Sequence, residues 1–186
     1  MGISHPDDKA ERFEKQILVY FHDLYRAAFR LTGQASDAED LVQEACLRAF
    51  KSLDQLRHPA AAKVWVFSIL RSVYFREEQR RPSRTAVVSL DDIAGSYLPL
   101  NETPPGSPPP FLSPEQPRRE EIREALLKLP LDYREAVVLA HVAGFSYREM
   151  AEILGCPIGT VMSRLFRGRR LLRSFLHDSH KRADTA

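Results

Sequence analysis

Nine of the 13 prolines in this 186-residue chain fall between Arg81 and Pro117, five of them in the run Pro104, Pro105, Pro108, Pro109 and Pro110. Proline fixes φ, removes a backbone donor and clashes with the preceding helical turn, so this stretch can be neither a helix nor a central strand. On either side the pattern is helical. Apolar residues recur at three- and four-residue spacing from Glu11 to Arg80 and again beyond Ser113, without β-alternation. The sequence therefore predicts an all-α protein: two small helical bundles, residues 11–81 and 114–178, joined by a Pro-rich linker over 82–113. Fully extended at about 3.1 Å per residue, such a tether reaches roughly 100 Å. Its short apolar pieces, Leu90 to Ile93 and Tyr97 to Leu100, read either as docking elements or as parts of a plain spacer.

With 44% hydrophobic and 28% charged residues the chain has the composition of an ordinary globular protein, and its net charge of +2 says little until it is placed. Residues 1–80 carry 12 basic and 12 acidic side chains, 81–117 carry 2 and 4, and 118–186 carry 13 and 9, so the basic excess lies in the carboxy-terminal third. Cys46 and Cys156 have no ligand-like spacing, so neither a disulfide framework nor a zinc site is expected, and a reducing cytoplasmic setting follows most simply. No cofactor is expected. The six histidines are scattered, the 8 glycines form no phosphate loop, and no nucleophile–base arrangement stands out, so an enzyme is disfavoured. The polar amino terminus is no signal peptide, and no apolar run approaches the roughly 18 residues needed to cross a bilayer, so membrane insertion is not expected.

The stretch Ser146 to Arg170 reads as a helix-turn-helix. Ser146 and Glu149 form an S-x-x-E capping box that starts one helix, and Gly155-Cys156-Pro157 stops it. A second helix begins near Ile158. At about 100° per residue, Ile158, Val161 and Leu165 point inward, while Thr160, Ser163, Arg164, Arg167 and Arg170 share the opposite side. Five arginines and no acid lie between Gly159 and Leu176, so these cations have no partner on their own helix and suit phosphates or guanine edges. A bare charge run is ordinarily a solvated face. The caps, the small Ala151 and Gly155 four residues later make this one a duplex-DNA reader.

In the first bundle the periodicity predicts one helix over Phe13 to Thr32 and another from Ser36, with a second capping box at Ser36 and Glu39. On the latter, Ala38, Leu41, Val42, Ala45 and Ala49 form an inward stripe, and Asp40, Gln43, Glu44 and Lys51 lie opposite. Leu47 falls amid that polar face with Phe50 at its edge, either as an ordinary exposed leucine or as an anchor for a partner protein. The next helix, Lys63 to Arg80, is apolar nearly all round and must be largely buried. Trp65 and Phe75 nevertheless occur with Lys63, Arg71, Arg76, Arg80 and Arg81, which would also make a platform for single-stranded bases; core packing is the better explanation from spacing alone. The second bundle starts at Ser113-Pro114-Glu115, with helices to about Leu129, from Asp132 to Val142, and through the helix-turn-helix to about His177.

The order LTGQASDAEDLVQEACLRAFKSL, VWVFSILRSVYF and LPLDYREAVVLAHVAGFSYREMAEILGCPIGTVMSRLFRGRRLL resembles the extracytoplasmic-function (ECF) group of sigma-70-type bacterial sigma factors, over roughly Leu24 to Leu176 apart from the tether. The resemblance implies a subunit without an active site that joins RNA polymerase core, directs it to promoter DNA and helps open the duplex. It implies core-polymerase contacts at Asp40, Gln43, Glu44, Leu47 and Phe50. The loop from Leu53 and the helix from Lys63 would capture the downstream promoter element as single strand through Leu56, Arg57, His58, Lys63, Trp65, Arg71 and Ser72. The arginine face would read the upstream element as duplex. An anti-sigma factor is a further partner implied by the family. Met162, in G-T-V-M-S-R-L, departs from the basic residue of many members and matches a subgroup tied to thiol-oxidative stress, which suggests redox regulation. Ser72 stands where many members have Asn and Leu56 where several have an aromatic, so base preference at the downstream element is open. The alternative is a helix-turn-helix regulator that binds promoters without joining polymerase, whose amino-terminal part would carry a sensor with strands or a ligand pocket.

Overall fold

The computed structural model describes residues 6–80 and 119–183, and every regular element among them is helical. The amino-terminal lobe comprises α1 (Pro6–Gln16), α2 (Phe21–Thr32), α3 (Ala35–Lys51) and α4 (Ala62–Arg80), with short 3-10 turns at Leu18–Tyr20, Leu53–Gln55 and Pro59–Ala61. The carboxy-terminal lobe comprises α5 (Arg119–Lys128), α6 (Leu131–His141), α7 (Tyr147–Leu154) and α8 (Ile158–Ala183). The Pro-rich linker, its apolar pieces and the Ser113-Pro114-Glu115 cap lie outside the described residues.

Two sequence expectations about the first lobe need correction. The single helix expected over Phe13 to Thr32 is broken at Ile17, whose backbone (φ −116°, ψ −48°) leads into the 3-10 turn. Ile17 at the break is wholly in the core, whereas Leu18 and Val19 are 41% and 64% exposed. The Ser36–Glu39 capping box does not form. Gln34 is the extended N-cap residue and accepts the Ala38 N–H at 3.0 Å, so Ser36 is already inside the first turn and its side chain is not at the cap. The chain reaches this register because Gly33 closes α2 in the left-handed region at φ +77°. That φ is what calls for glycine, and a Cβ there would also crowd the rotatable end of Leu127 from the other lobe.

The predicted inward stripe of α3, Ala38, Leu41, Val42, Ala45 and Ala49, is buried as expected. Helix α4 buries Ala62, Val66, Phe67, Leu70, Val73 and Tyr74. Its nearly uniform apolarity has a tertiary cause: α3 covers one side and α7, from the second lobe, covers another. The two bundles are therefore docked, with α2 against α5 and α6 as well, and the buried side chains form one continuous cluster. Phe67 and Phe145 meet edge to face across this contact at 4.8 Å between ring centroids, worth about 0.5–1.5 kcal/mol beyond area burial.

In the second lobe Val161 and Leu165 face inward as predicted, joined by Leu172. Ile158 does not, being 40% exposed at the first position after Pro157, before α8 has entered the contact with α6 and α7. Gly168 sits where α8 crosses α6, and a Cβ there would come within 2.9 Å of Val137 Cγ2 and 3.0 Å of the Tyr133 carbonyl oxygen. Gly159, on the same helix, has nothing within 4 Å of its Cβ position. Alanine gains up to about 1 kcal/mol over glycine in a helix. Overpacking costs about 1–3 kcal/mol, and at Gly168 it prevails because a main-chain oxygen cannot rotate away. Gly168→Ala is expected to lower the thermal midpoint and Gly159→Ala to raise it, as measured by far-UV melts of the full chain.

Candidate nucleic-acid interface

The turn between α7 and α8 is built by local chemistry. Ser146 Oγ accepts the Glu149 N–H at 3.4 Å, and the Glu149 carboxylate accepts the Ser146 N–H at 2.8 Å, which completes the predicted capping box. The Ser146 hydroxyl, which donates to the same carboxylate at 2.7 Å, and then the Ser146 N–H hold the Glu149 carboxyl below its usual range. Gly155 exits α7 in the left-handed region at φ +61°, and both it and Cys156 return N–H groups to the Ala151 carbonyl. Helix α8 then starts with the Thr160 and Val161 N–H groups on the Pro157 carbonyl.

The outward face of α8 is narrower than the sequence suggested. Ser163, Arg167 and Arg170 are exposed and Thr160 is half-buried, with Ser163 Oγ donating to the Thr160 carbonyl at 3.0 Å. Arg164 departs from the expectation. Its Nη2 lies 2.9 Å from Asp132 Oδ2 and its side chain is only 22% exposed, so it ties α8 to α6 instead of pointing at solvent. Asp132 stands 32 residues earlier in the chain, on α6, so Arg164 finds a partner although residues 159–176 hold no acid. Arg169 is likewise turned inward, its Nε donating to His141 Nε2 at 3.0 Å. Arg167 makes no ion pair with any described residue and is the clearest cation on the face.

The residues expected at the downstream element divide into three groups. Arg57, His58 and Ser72 are exposed. Leu56 is 7% exposed and belongs to the core, turned in by the 3-10 turn that places its N–H on the Leu53 carbonyl; the expectation that it meets DNA is corrected. Trp65 is half-buried against the core. Lys63 and Arg71 are held by the second lobe: Lys63 Nζ donates to the Ala143 carbonyl at 2.8 Å, and Arg71 Nε lies 3.2 Å from Glu135 Oε2.

On α3, Leu47 is 48% and Phe50 36% exposed, with Asp40 and Gln43 beside them and Glu44 paired to Arg48 at 2.6 Å. Helix α1 extends this ridge in a way that the sequence did not signal. Phe13 packs edge to face on Phe50 at 5.3 Å, and Lys9 Nζ lies 5.6 Å from the Phe50 ring centroid.

Sequence reasoning also missed Arg134 and Glu135. The two Arg134 Nη atoms donate to the Leu31, Leu127 and Leu129 carbonyls and to Tyr74 Oη at 2.7–3.0 Å. Tyr74 Oη in turn donates to the Leu31 carbonyl at 3.0 Å, and burial pushes its phenol up to about 12. Glu135 is 2% exposed, and desolvation raises its carboxyl despite the adjacent Arg71. The available signal was a glutamate at the head of the apolar run EAVVLA, a buried-polar pattern. Among the described residues no cluster of histidine, cysteine or acidic side chains could hold a metal, and no helix is long and apolar enough to cross a membrane. Both cysteines are free and half-buried, and burial raises the Cys46 thiol, which disfavours its reactive thiolate.

Residues 17–81 match the family described as Sigma-70 region 2 and residues 119–172 match Sigma-70, region 4. The chain is 38% identical over 161 residues to the ECF RNA polymerase sigma factor EcfG of Rhodopseudomonas palustris, spanning 87% of this chain and 83% of that protein. This chain belongs to the ECF sigma factors. It is 31% identical over 173 residues to the ECF RNA polymerase sigma-E factor of Escherichia coli K12, covering 91% of this chain and 88% of that one. The sigma factor RpoE of Bartonella quintana, solved with the anti-sigma factor NepR, superposes with a TM-score of 0.67 at 29% identity over 90% of this chain and 98% of that one. CnrH, solved with the cytosolic domain of CnrY, shares the fold at a TM-score of 0.62 and 22% identity over 91% of this chain and 90% of that one. As a sigma factor the chain partners RNA polymerase core and promoter DNA in transcription initiation.

The anchor of α8 in this sigma factor is sensitive to acid. His141 accepts from Arg169 only when neutral, and burial together with the Arg169 charge lowers its pKa from 6.5 to about 4. The unfolded chain takes up this proton near its ordinary pKa of 6.5 and the folded chain only near 4, so the unfolded state binds more protons in between. Stability is expected to be undiminished by His141 above that window and to fall as pH drops through it. Urea midpoints between pH 7 and pH 4 should decline less steeply for His141→Gln, whose amide oxygen can still accept from Arg169.

Proposed function

We propose that this sigma factor holds RNA polymerase core with the α3 ridge and grips promoter DNA with α8 and α4, its two lobes, residues 11–81 and 114–178, working as separate hands on one tether. The carrying observation is that two chemically opposite ridges are exposed together: Leu47 and Phe50 beside Asp40 and Gln43 on α3, and Ser163, Arg167 and Arg170 on α8. An apolar patch ringed by carboxylate and amide suits a protein partner. Guanidiniums with hydroxyls on one helix face suit phosphates and guanine edges in the major groove.

In this reading Asp40, Gln43, Glu44, Leu47 and Phe50 contact core, with Phe13 and Lys9 buttressing Phe50. Thr160, Ser163, Arg167 and Arg170 read the upstream element. Arg164 acts as a positioning residue, setting the angle of α8 through Asp132. Arg57, His58, Lys63, Trp65, Arg71 and Ser72 receive the downstream element as single strand and so assist opening; aromatic surface beside cations supports this by stacking and charge. The chemistry is binding energy, with no catalytic group of its own, and the place of action is the nucleoid in the cytoplasm. An anti-sigma factor is a further partner, as the NepR complex of the Bartonella protein suggests. A promoter-binding regulator that never joins polymerase is the weaker reading, since the described amino-terminal lobe has no strands and matches sigma-70 region 2.

Purified core polymerase plus this chain should yield promoter-specific transcripts from its native genome in vitro, and no such transcript would overturn the reading. Leu47→Asp is expected to weaken core binding at least tenfold in a co-elution or fluorescence titration while leaving duplex binding by the carboxy-terminal lobe intact. Arg167→Ala should cost about 1–3 kcal/mol in promoter affinity and relax specificity at one base pair if the guanidinium grips a guanine. A uniform loss across sequences, with a shallower salt slope, would assign Arg167 to phosphate instead.

A further inference from the structure

We propose that the groove between α2, α5, α6 and α8 is a binding site for a free single-chain amphipathic carboxylate, its tail on the apolar floor and its head on Arg26, Arg30 and Arg119. The inference goes beyond the polymerase and promoter reading and stands apart from it.

Shape is the first argument. The groove has a volume of about 710 Å³, inside the range of roughly 300–1,000 Å³ usual for small-molecule clefts. Its floor is apolar. Leu126, Val138 and Leu172 lie at the base and are at most 4% exposed, and Phe29, Ile122 and Leu176 line it half-buried. Arg26 and Arg119 are exposed beside this recess. A flat bilayer cannot follow a floor so deeply recessed, whereas one acyl chain can.

Charge is the second argument. Arg26 and Arg30 stand four residues apart on α2, a spacing at which like charges repel. Neither Arg30 nor Arg119 makes an ion pair with any described residue, and Arg26 reaches Asp23 at 4.0 Å, the outer limit of such a pair. Glu120 is the one acid among the described residues that line the groove, and it is committed to Arg123. Three guanidiniums therefore border one recess with a single, loosely held counterion. Burial, and then the charges of Arg119 and Arg26, lower the Arg30 guanidinium, so the three are close enough to act on one another. A carboxylate relieves that repulsion and offers two oxygens for charge-assisted bonds.

The asymmetry of the walls selects the ligand. All the charged lining residues come from α2 and α5, while α6 and α8 contribute apolar side chains and His141, which stays neutral above about pH 4. One anionic head beside one apolar tail matches that division. An acidic helix of a protein partner would carry carboxylates along several turns and need cations along the whole groove.

Calorimetric titration of the full chain with decanoate, below its micelle concentration and at low salt, tests the site. Decanoate should bind saturably. Acetate, which has the head without the tail, and decyltrimethylammonium, which has the tail with the opposite charge, should each bind about tenfold more weakly or less. Arg30→Glu and Leu176→Asp attack the head and tail ends from different helices, so the test does not hang on the folding of either. Each should keep wild-type helicity by far-UV circular dichroism and lose about tenfold or more in decanoate affinity, whereas Arg30→Lys should stay within about threefold of wild type. Several results would overturn the assignment: no saturable decanoate binding by the wild type, equal binding of decyltrimethylammonium, or unchanged decanoate affinity in a folded Arg30→Glu or Leu176→Asp chain. Co-sedimentation with phosphatidylglycerol vesicles in the absence of decanoate binding would make the groove a membrane contact instead. Tight binding of a synthetic Glu/Leu amphipathic helix that decanoate fails to displace would give it to a protein partner.

Discussion

Arg134 and Glu135 are neighbours on α6, and both reach into the amino-terminal lobe. Arg134 is a bracket: it donates to carbonyls at the ends of α2 and α5 and to the Tyr74 hydroxyl on α4, so one guanidinium satisfies buried acceptors from both lobes. Without it the Leu31, Leu127 and Leu129 carbonyls would lose a charge-assisted donor, a loss that costs more than the bond contributes when made. Glu135 holds Arg71 from the neighbouring position. The seat of α4 between α3 and α7 is set by this pair together with the apolar cluster that runs through both lobes.

Fixing the lobes in this way sorts the cations of the chain. Arg71, Arg123, Arg134, Arg164 and Arg169 are committed to internal partners, and each commitment stiffens a junction between helices. Arg167 stays outward on a helix whose azimuth is set by Arg164 on Asp132 and by the close approach at Gly168. A reading head for DNA needs both kinds: side chains that can be spent on the ligand, and others already spent on holding the helix still.

The cap and exit of the first helix in the helix-turn-helix were legible from sequence, although the facing of Ile158 and Arg164 was not. Ser146, Glu149 and Gly155 form the cap and exit that their types and spacing predict, because a cap is satisfied by atoms within one turn. The same S-x-x-E pattern at Ser36 and Glu39 misled, since Gly33 and the docking of Leu127 shift the start of α3 to Ala35. The exposed apolar ridge on α3 was half legible. Leu47 stood out as an apolar residue on a polar face, whereas Phe13 and Lys9 joined Phe50 only through the break at Ile17.

The amino-acid sequence alone determined that the chain is helical, where most helices begin and end, which stripe of α3 turns inward and which family the chain resembles. Those properties rest on backbone chemistry, three- and four-residue periodicity and linear motifs, all of which are local. Tertiary structure alone decided which arginines remain exposed, that Leu56 is core, and that α4 is clasped by the second lobe. The deciding contacts join residues 32 apart, Arg164 and Asp132, and 64 apart, Arg71 and Glu135. Periodicity carries no information at that range, because the partner of a long, charged side chain is set by how helices cross and not by what lies a turn away.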